Sequence, residues 1–575
     1  MTSLNVAYEQ SAIYSIFEPA VRDDSITKYQ YSPFDENSGA LGQNNGFPTQ
    51  GTQYKFESGS TSVLSLPSRS YLRFNLQMYN TPLGGALTPL TSATGVVLQN
   101  NFPLFQRFAF TMGGRPIDST EQYAETKALM KSLIDYSMDS GEGSFIDECY
   151  YPDSGLNPWY MGWNTAGTTK NDHIVSYNGN AIVPGPCLAI LEDETVLSTS
   201  QVAGTILNAT VGSAISAVST TLQAVKDTCY NAGVLYRYRL VWGQFKNNIT
   251  SVQTQGLLQI KVPCWRWSDV LRVDKFYVGD PIGIECNVGG PNLNYMFQKV
   301  LTKTAVPTSG TIATGAYPFT NAVNYASTDT SYYSFKVLNL MWQLPTVTPN
   351  QQLYTDIKAQ MLSKKSGVRQ FRSVYVTRVA HNPQNSSINY LIKNTDDRIE
   401  AIYIGFRWQK LENDVTQINN SQVFHPITNC ILTETILLGD TQYPMVAYRP
   451  NIDNRTGPME EYQTLKELSN RVFDYEGGAI INYSAFLNHY SLRAMDTRYN
   501  DSDPSYTSGQ SREVRYTAEF QFPSIAPGVP AVPATAGYTQ FNTPPDWGSL
   551  NIYFFIVSTK ERVLNFSNGQ TTFIS

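Results

Sequence analysis

The residues able to do chemistry are few and dispersed. The chain has four histidines, His173, His381, His425 and His489, and no two lie within helical reach of each other. A metal centre needs clustered ligands, so each histidine is read as solvated or structurally hydrogen-bonded. Six cysteines, Cys149, Cys187, Cys229, Cys264, Cys286 and Cys430, include no CxxC pair. That spacing fits neither a zinc site nor a disulfide framework, and buried free thiols are expected. Glu192-Asp193-Glu194 and the pair Asp501 and Asp503 offer the oxygen ligands calcium takes, but neither sits in a D-x-D-x-D-G loop. They are read as solvated turns. The chain holds no G-x-x-x-x-G-K-[ST] phosphate loop, no G-x-S-x-G elbow and no H-E-x-x-H pair. No catalytic residue, cofactor or metal is therefore expected, and the chain is read as a non-enzyme. Two other readings stay open. The aromatic loop at Trp159, Tyr160 and Trp163 could serve a carbohydrate- or receptor-binding β-sandwich spike, and a glycoside hydrolase could form if two carboxylates met across a cleft.

The clearest local structure that could position anything runs from Phe105 to Tyr136. Phe105 to Met112 has the period of a strand, Gly113-Gly114-Arg115-Pro116 reads as a tight turn, and a helical period follows. Ser119 with Gln122 three residues on fits a capping box at the helix start. The unit recurs near the other end. Cys430 to Leu438 leads into Gly439 and on to Pro444, and a helical pattern opens at Gly457-Pro458. Glu121-Gln122-Tyr123 aligns with Glu460-Glu461-Tyr462, Lys127 with Lys466 and Leu129 with Leu468. Gly113, Gly114, Pro116, Tyr123, Lys127 and Leu129, with Gly439, Pro444, Tyr462, Lys466 and Leu468, are thus candidate scaffold markers of a duplication.

Elsewhere the pattern is that of sheets with one wet face. Leu72, Phe74, Leu76 and Met78 alternate with Arg73, Asn75 and Gln77, and Val514, Tyr516, Ala518, Phe520 and Phe522 alternate with polar neighbours. Further strands are expected at Leu258 to Val262, Tyr333 to Leu344, Phe371 to Val379, Arg398 to Trp408 and Asn551 to Val557, with another at Val234 to Leu240. The strands ending at Pro263 and Pro523 pair as markers of the two halves, and they lie closer together than Tyr123 and Tyr462. The first half must then carry the larger insertion, placed at about residues 140–232.

With 575 residues the chain exceeds what one core serves, so at least two domains are expected. A hydrophobic fraction of 41% and aromatics at 13% indicate a folded chain. Tyrosine, at 37 residues, suits strand surfaces and subunit contacts. A net charge of −6 without a long basic run argues against specific nucleic-acid binding. No apolar run is long enough for a spanning helix, the N-terminus lacks a signal-peptide layout, and synthesis in the cytosol is expected. The fold expected is all-β: two tandem antiparallel jelly-roll sandwiches, each with an inserted helix. Residues 1–53 are read as an N-terminal arm and 54–345 as the first sandwich. Residues 346–367 form a linker helix with Tyr354, Ile357 and Met361 on one side, and 368–575 form the second sandwich.

At Phe108 to Ile117 running into Tyr123, its counterpart Leu437 to Pro444, the junction Phe335 to Lys365 and the C-terminal Arg562 to Gly569, the chain resembles the double jelly-roll major capsid proteins of icosahedral double-stranded DNA viruses. The virophage and polinton-like types are the most similar. The resemblance implies a homotrimer forming a pseudo-hexameric capsomer, and many capsomers tiling a shell around the genome. Its partners would be other copies of itself, neighbouring capsomers, and penton and minor capsid proteins. It implies a place in the virion after synthesis in the host cytoplasm, and no enzymatic activity.

Overall fold

In a computed structural model, each half of the chain folds as two stacked antiparallel sheets whose strands are wound in the same order. The structure describes residues 26–59, 63–81, 88–89, 96–98, 104–134, 176–177, 180–181, 257–277, 279, 281–289, 297–299, 332–364, 366–395, 398–409, 424, 427, 430–450, 457–472, 481, 483, 486, 492–497, 512–521, 549–565 and 572–574.

In the first half the principal strands are β1 (Ile26–Asp35), β2 (Gln53–Glu57), β3 (Tyr71–Thr81), β4 (Phe105–Met112), β5 (Arg115–Thr120), β6 (Leu257–Pro263), β7 (Ile282–Val288) and β8 (Tyr332–Pro349). Helix α1 (Ala124–Ile134) stands between β5 and β6. One sheet runs β1-β8-β3-β6 and the other β2-β7-β4-β5. Helix α2 (Gln351–Lys364) then leads into the second half. Its strands are β9 (Ser366–His381), β10 (Ser387–Thr395), β11 (Arg398–Trp408), β12 (Ile431–Leu438), β13 (Thr441–Tyr448), β14 (Arg493–Asp496), β15 (Arg512–Phe520) and β16 (Leu550–Asn565). Helix α3 (Gly457–Val472) lies between β13 and β14. The sheets run β9-β16-β11-β14 and β10-β15-β12-β13. Each strand of the first half therefore has a counterpart eight strands later, in the same place in its sheet. The order within each sheet is that of a jelly roll, and the fold is a double jelly roll.

Alternation builds the two cores. Leu72, Phe74, Leu76 and Met78 of β3 meet Phe108, Phe110 and Ile284 of the facing sheet in one cluster. In the second half Ile402, Ile404 and Phe406 meet Ile436, Tyr516 and Ala518. Strand β16, like β11 beside it, is covered on both faces. Ile552, Phe554 and Ile556 enter the second core, while Tyr553, Phe555 and Val557 join a third cluster on the outer side of the sheet. That explains its unbroken apolar run, the signature of a strand with no wet face.

Several sequence expectations are corrected. Arg115 and Pro116 are not in a turn but begin β5, which pairs with β4. Ser119 lies in that strand, so it caps nothing, and α1 starts at Ala124 after the left-handed residue Tyr123 (φ 63). Pro444 likewise lies within β13. Part of the expected arm, Ile26–Asp35, is an edge strand paired along β8. Strand β8 does not stop at Pro345 but runs to Pro349. Pro345 lies beyond the last β8–β3 pair, Gln343 with Tyr71, so no ladder bond to β3 is lost there, and its carbonyl still accepts a hydrogen bond from the Leu66 amide, at 2.9 Å. Pro263 and Pro523 are not equivalent. The first ends β6, whereas the second follows β15, whose counterpart is β7. The strand at Val234 to Leu240 and the insertion at about residues 140–232 lie outside the described residues, apart from a short pairing of Ser176–Tyr177 with Asn180–Ala181.

Candidate functional site

The most elaborate polar arrangement is structural, at the junction where α1 and β5 of the first sandwich meet β9 and β16 of the second. Every residue of α1 is buried. Its Leu129, Met130, Leu133 and Ile134 pack in the third cluster with Val374 and Val376 of β9 and with Tyr553 and Phe555 of β16. Burying four such side chains stabilises by roughly 6–12 kcal/mol before entropy is counted. A helix with lysines at 127 and 131 would ordinarily turn them to water. Here both are buried and meet one carboxylate, that of Asp269: Lys127 Nζ lies 2.6 Å from Oδ2, and Lys131 Nζ contacts Oδ1. Each ammonium has a second acceptor, Thr120 Oγ1 for Lys127 at 3.1 Å and the Trp265 carbonyl for Lys131 at 2.7 Å.

Asp269 belongs to a 3-10 turn of the first sandwich (Asp269–Arg272), yet its Oδ2 also accepts from the backbone amide of Val374 in the second, at 2.9 Å. Burial alone would raise its pKa, but the two ammonium groups outweigh that and hold the carboxyl well below the usual range. Asp118 of β5 does similar work. Its Oδ2 accepts from Ser268 Oγ (2.6 Å) and the Asp269 amide (2.9 Å), and its Oδ1 from Ser373 Oγ of β9 (3.4 Å). Arg562 of β16 donates to the Ile117 carbonyl at 3.2 Å. Tyr123 sits edge-on to Tyr553 with centroids 5.5 Å apart and has Arg378 over its ring at 5.4 Å. The two sandwiches are thus joined by an apolar patch with a hydrogen-bonded ionic seam through it.

A second buried cluster lies within the second sandwich, where α3 meets β12 and β14. Arg493 Nε is 2.6 Å from Glu434 Oε2, and Arg493 also pairs with Glu461. Tyr516 donates to Glu434 Oε1 at 2.7 Å. Two carboxylates share one guanidinium here. Burial, together with the nearby charge of Glu434, pushes the Glu461 carboxyl up to about 7 against the pull of Arg493. Burial and Glu434 likewise push the Tyr516 phenol well above its ordinary value.

The scaffold markers divide unevenly between these places. Gly113 (φ 56) and Gly114 (φ 75) form the two-residue turn between β4 and β5. In the matching β12–β13 turn, Gly439-Asp440, only Gly439 (φ 58) is left-handed. Tyr123, Lys127 and Leu129 belong to the junction, as described. Leu468 is buried in the same third cluster, and Tyr462 packs against it while donating to the Ile481 carbonyl at 3.2 Å. Pro116 is exposed on β5, and Lys466 is exposed on α3, so Lys127 and Lys466 share an aligned position but not an environment. The alignment is also offset in space: Glu121 to Tyr123 precede α1, whereas Glu460 to Tyr462 lie inside α3. Asp118, Asp269, Glu434 and Arg493 were not singled out. Glu434 carried a signal, since it shares a strand face with Ile436 and Leu438, where a carboxylate needs a buried partner.

Of the histidines, His381 is buried, contacts the Asn385 carbonyl at 3.1 Å and lies tilted against the Phe520 ring; burial lowers its pKa. His173, His425 and His489 lie outside the described residues, as do Trp159, Tyr160 and Trp163 and both acidic groups named as calcium candidates. Cys264, Cys286 and Cys430 are buried thiols outside any disulfide. Among the described residues no group of three or more His, Cys, Asp or Glu could hold a metal ion, and no helix is long and apolar enough to cross a membrane.

Solved structures with similar folds include viral major capsid proteins. A chain of the Sputnik virophage structure is 10% identical, with a TM-score of 0.47, 97% of this chain covered and 90% of that one. The Faustovirus major capsid protein is 9% identical at a TM-score of 0.43, covering 95% and 92%. The mavirus major capsid protein is 9% identical at 0.41, covering 97% and 92%. No family model and no curated protein matches the sequence. At such identities the likeness is one of fold.

Proposed function

We propose that the chain is the major capsid protein of an icosahedral double-stranded DNA virus, of the virophage or polinton-like kind, and that three copies form a pseudo-hexameric capsomer. The observation that carries this reading is the pair of topologically equal sandwiches held at a fixed orientation by a fully buried helix and an ionic seam. A chain built this way is a rigid block with two similar units, and three such blocks can approximate six-fold packing in a closed, symmetric assembly. Nothing in the junction is arranged around a reacting atom; its polar groups are spent on each other. The role is structural rather than enzymatic. Capsomers would contact one another and penton and minor capsid proteins in the virion shell, after synthesis in the host cytoplasm. A net charge of −6 suits a wall better than a genome-coating protein.

Sedimentation equilibrium and electron microscopy of the purified full chain test this. The expected species has three times the chain mass of 64.2 kDa and forms sheets or closed shells. A protein that stays monomeric at high concentration and builds no array would reject the reading.

A further inference from the structure

Helix α2, which links the two sandwiches, is poorly covered. Helix α1 is buried throughout and α3 seats Leu465 and Leu468 in the third cluster, whereas Met361 is the only buried residue of α2. Leu353, Tyr354 and Ile357 share the Met361 side of the helix and are only half-buried, and Leu362 is 54% exposed. Asn350 caps the first turn, its Oδ1 accepting from the Leu353 amide at 2.7 Å. A cap alone does not hold a helix of 14 residues; at that length stability comes from a packed apolar face.

The sequence supplies a cover at the right place. Strand β1 begins at Ile26, which pairs with Pro349 of β8 just ahead of Gln351, the first residue of α2. Residues 1–25 therefore join the fold at the N-terminal end of α2. Within them Ile13, Ile16 and Phe17 have the i, i+3, i+4 spacing of one helical face, and Pro19 follows. The chain from Phe17 to Ile26 can span up to about 30 Å when extended. Helix α2 is about 21 Å long at ~1.5 Å per residue, so those three side chains can reach any point along it. The charges also match. Glu9, Glu18, Asp23 and Asp24 outnumber Arg22 in the segment, while Lys358 and Lys364 outnumber Asp356 on α2.

We propose that the N-terminal segment lies along α2 of the same copy, antiparallel to it, with Ile13, Ile16 and Phe17 packed between Tyr354 and Leu362. The direction follows from the entry point, since the segment meets the fold at the start of α2 and traces back toward its end. Terminal segments take a fixed place only when something ties them down, and here the segment and the helix each supply the apolar surface the other lacks. The result is a strap over the linker between the sandwiches. The strap forms in a lone chain as well as in an assembly, so its test is separate from that of the capsid reading.

Photocrosslinking of the full-length protein with Phe17→p-benzoylphenylalanine tests the contact. Irradiation should join position 17 to the peptide spanning residues 351–364, in a product with the mass of one chain. Links that map elsewhere would overturn the assignment, and so would products with the mass of two chains, which would show that the segment crosses to a neighbouring copy. Hydrogen exchange gives a second readout. Ile13→Asp with Phe17→Asp should speed exchange of the α2 amides by about tenfold or more, while β3 and β16 keep their wild-type rates. Both residues precede the first strand, so the sandwiches should melt as in the wild type. Leu362→Asp, an exposed position on the other side of the contact, should speed exchange in residues 10–18 in the same way. An α2 whose exchange is unmoved by the double variant would show that another part of the chain covers it, and would also overturn the proposal.

Discussion

At the scale of single residues, the two buried ionic clusters carry opposite imbalances, one acid with two cations around Asp269 and two acids with one cation around Arg493. They should respond to pH in opposite ways. The folded pKa of Asp269 is depressed, so its stabilisation is full above its unfolded pKa of about 3.9 and is lost as the pH falls below that. The folded pKa of Glu461 is raised to about 7 from 4.5, so folded protein holds a proton that unfolded protein releases. Stability is lost across that window as the pH rises, by about 3 kcal/mol in all at the linkage rate of ~1.4 kcal/mol per unit. Glu461→Gln, which keeps the neutral shape, should therefore melt higher than the wild type at pH 8 and about equally at pH 4.5. A wild-type advantage at pH 8 would show that Arg493 outweighs burial and that the Glu461 carboxyl is not raised. Neither cluster was legible in the sequence as a unit, because partners such as Lys127 and Asp269 are remote in the chain. A lysine in a helix reads as wet until its partner is seen.

At the scale of elements, strands with a strong apolar pattern were legible and weakly patterned ones were not. Tyr71 to Met78 and Arg398 to Trp408 alternate or run apolar as burial demands. Strands β5 and β13 contain proline and alternate weakly; β5 looked like the continuation of a turn, and β13 like turn residues before a helix. The glycines, expected in a strand-to-helix turn, lie in hairpins. Both Gly113 and Gly114 are left-handed, the pattern of a type I′ hairpin turn, whereas a single left-handed Gly439 at the first position fits type II′. An added Cβ at Gly114 would touch nothing within 4 Å, so any cost there is backbone strain alone. Gly114→Val should destabilise by roughly 1–3 kcal/mol and Gly114→Asn by much less, as read from urea midpoints. Equal midpoints for the two variants would show that the turn relaxes to another type.

At the scale of the whole molecule, the duplication was visible before the fold, in the strand, glycine turn and helix repeated at each end. The role of α1 as a shared wall between the sandwiches was not. Because α1 contributes to the first core through Ala124 and Ala128 and to the junction through Leu129 and Leu133, neither sandwich can lose it without exposing apolar surface. The full chain should then unfold in one calorimetric transition. Asp269→Ala strands Lys127 and Lys131 in the junction, and removing one partner of a buried ionic set costs about 3–5 kcal/mol. The loss falls on the junction and the first sandwich, while the second keeps its own core, so the transition should split in two. Adding Lys127→Met and Lys131→Met removes the stranded charges while keeping the apolar volume, and should bring the transitions most of the way back together. The Val374 amide still lacks its acceptor in that triple variant, which leaves a residual cost of about 1–3 kcal/mol. If Asp269→Ala instead lowers a single transition without splitting it, the two sandwiches are coupled through the apolar patch alone, and the ionic seam sets their orientation rather than their cohesion.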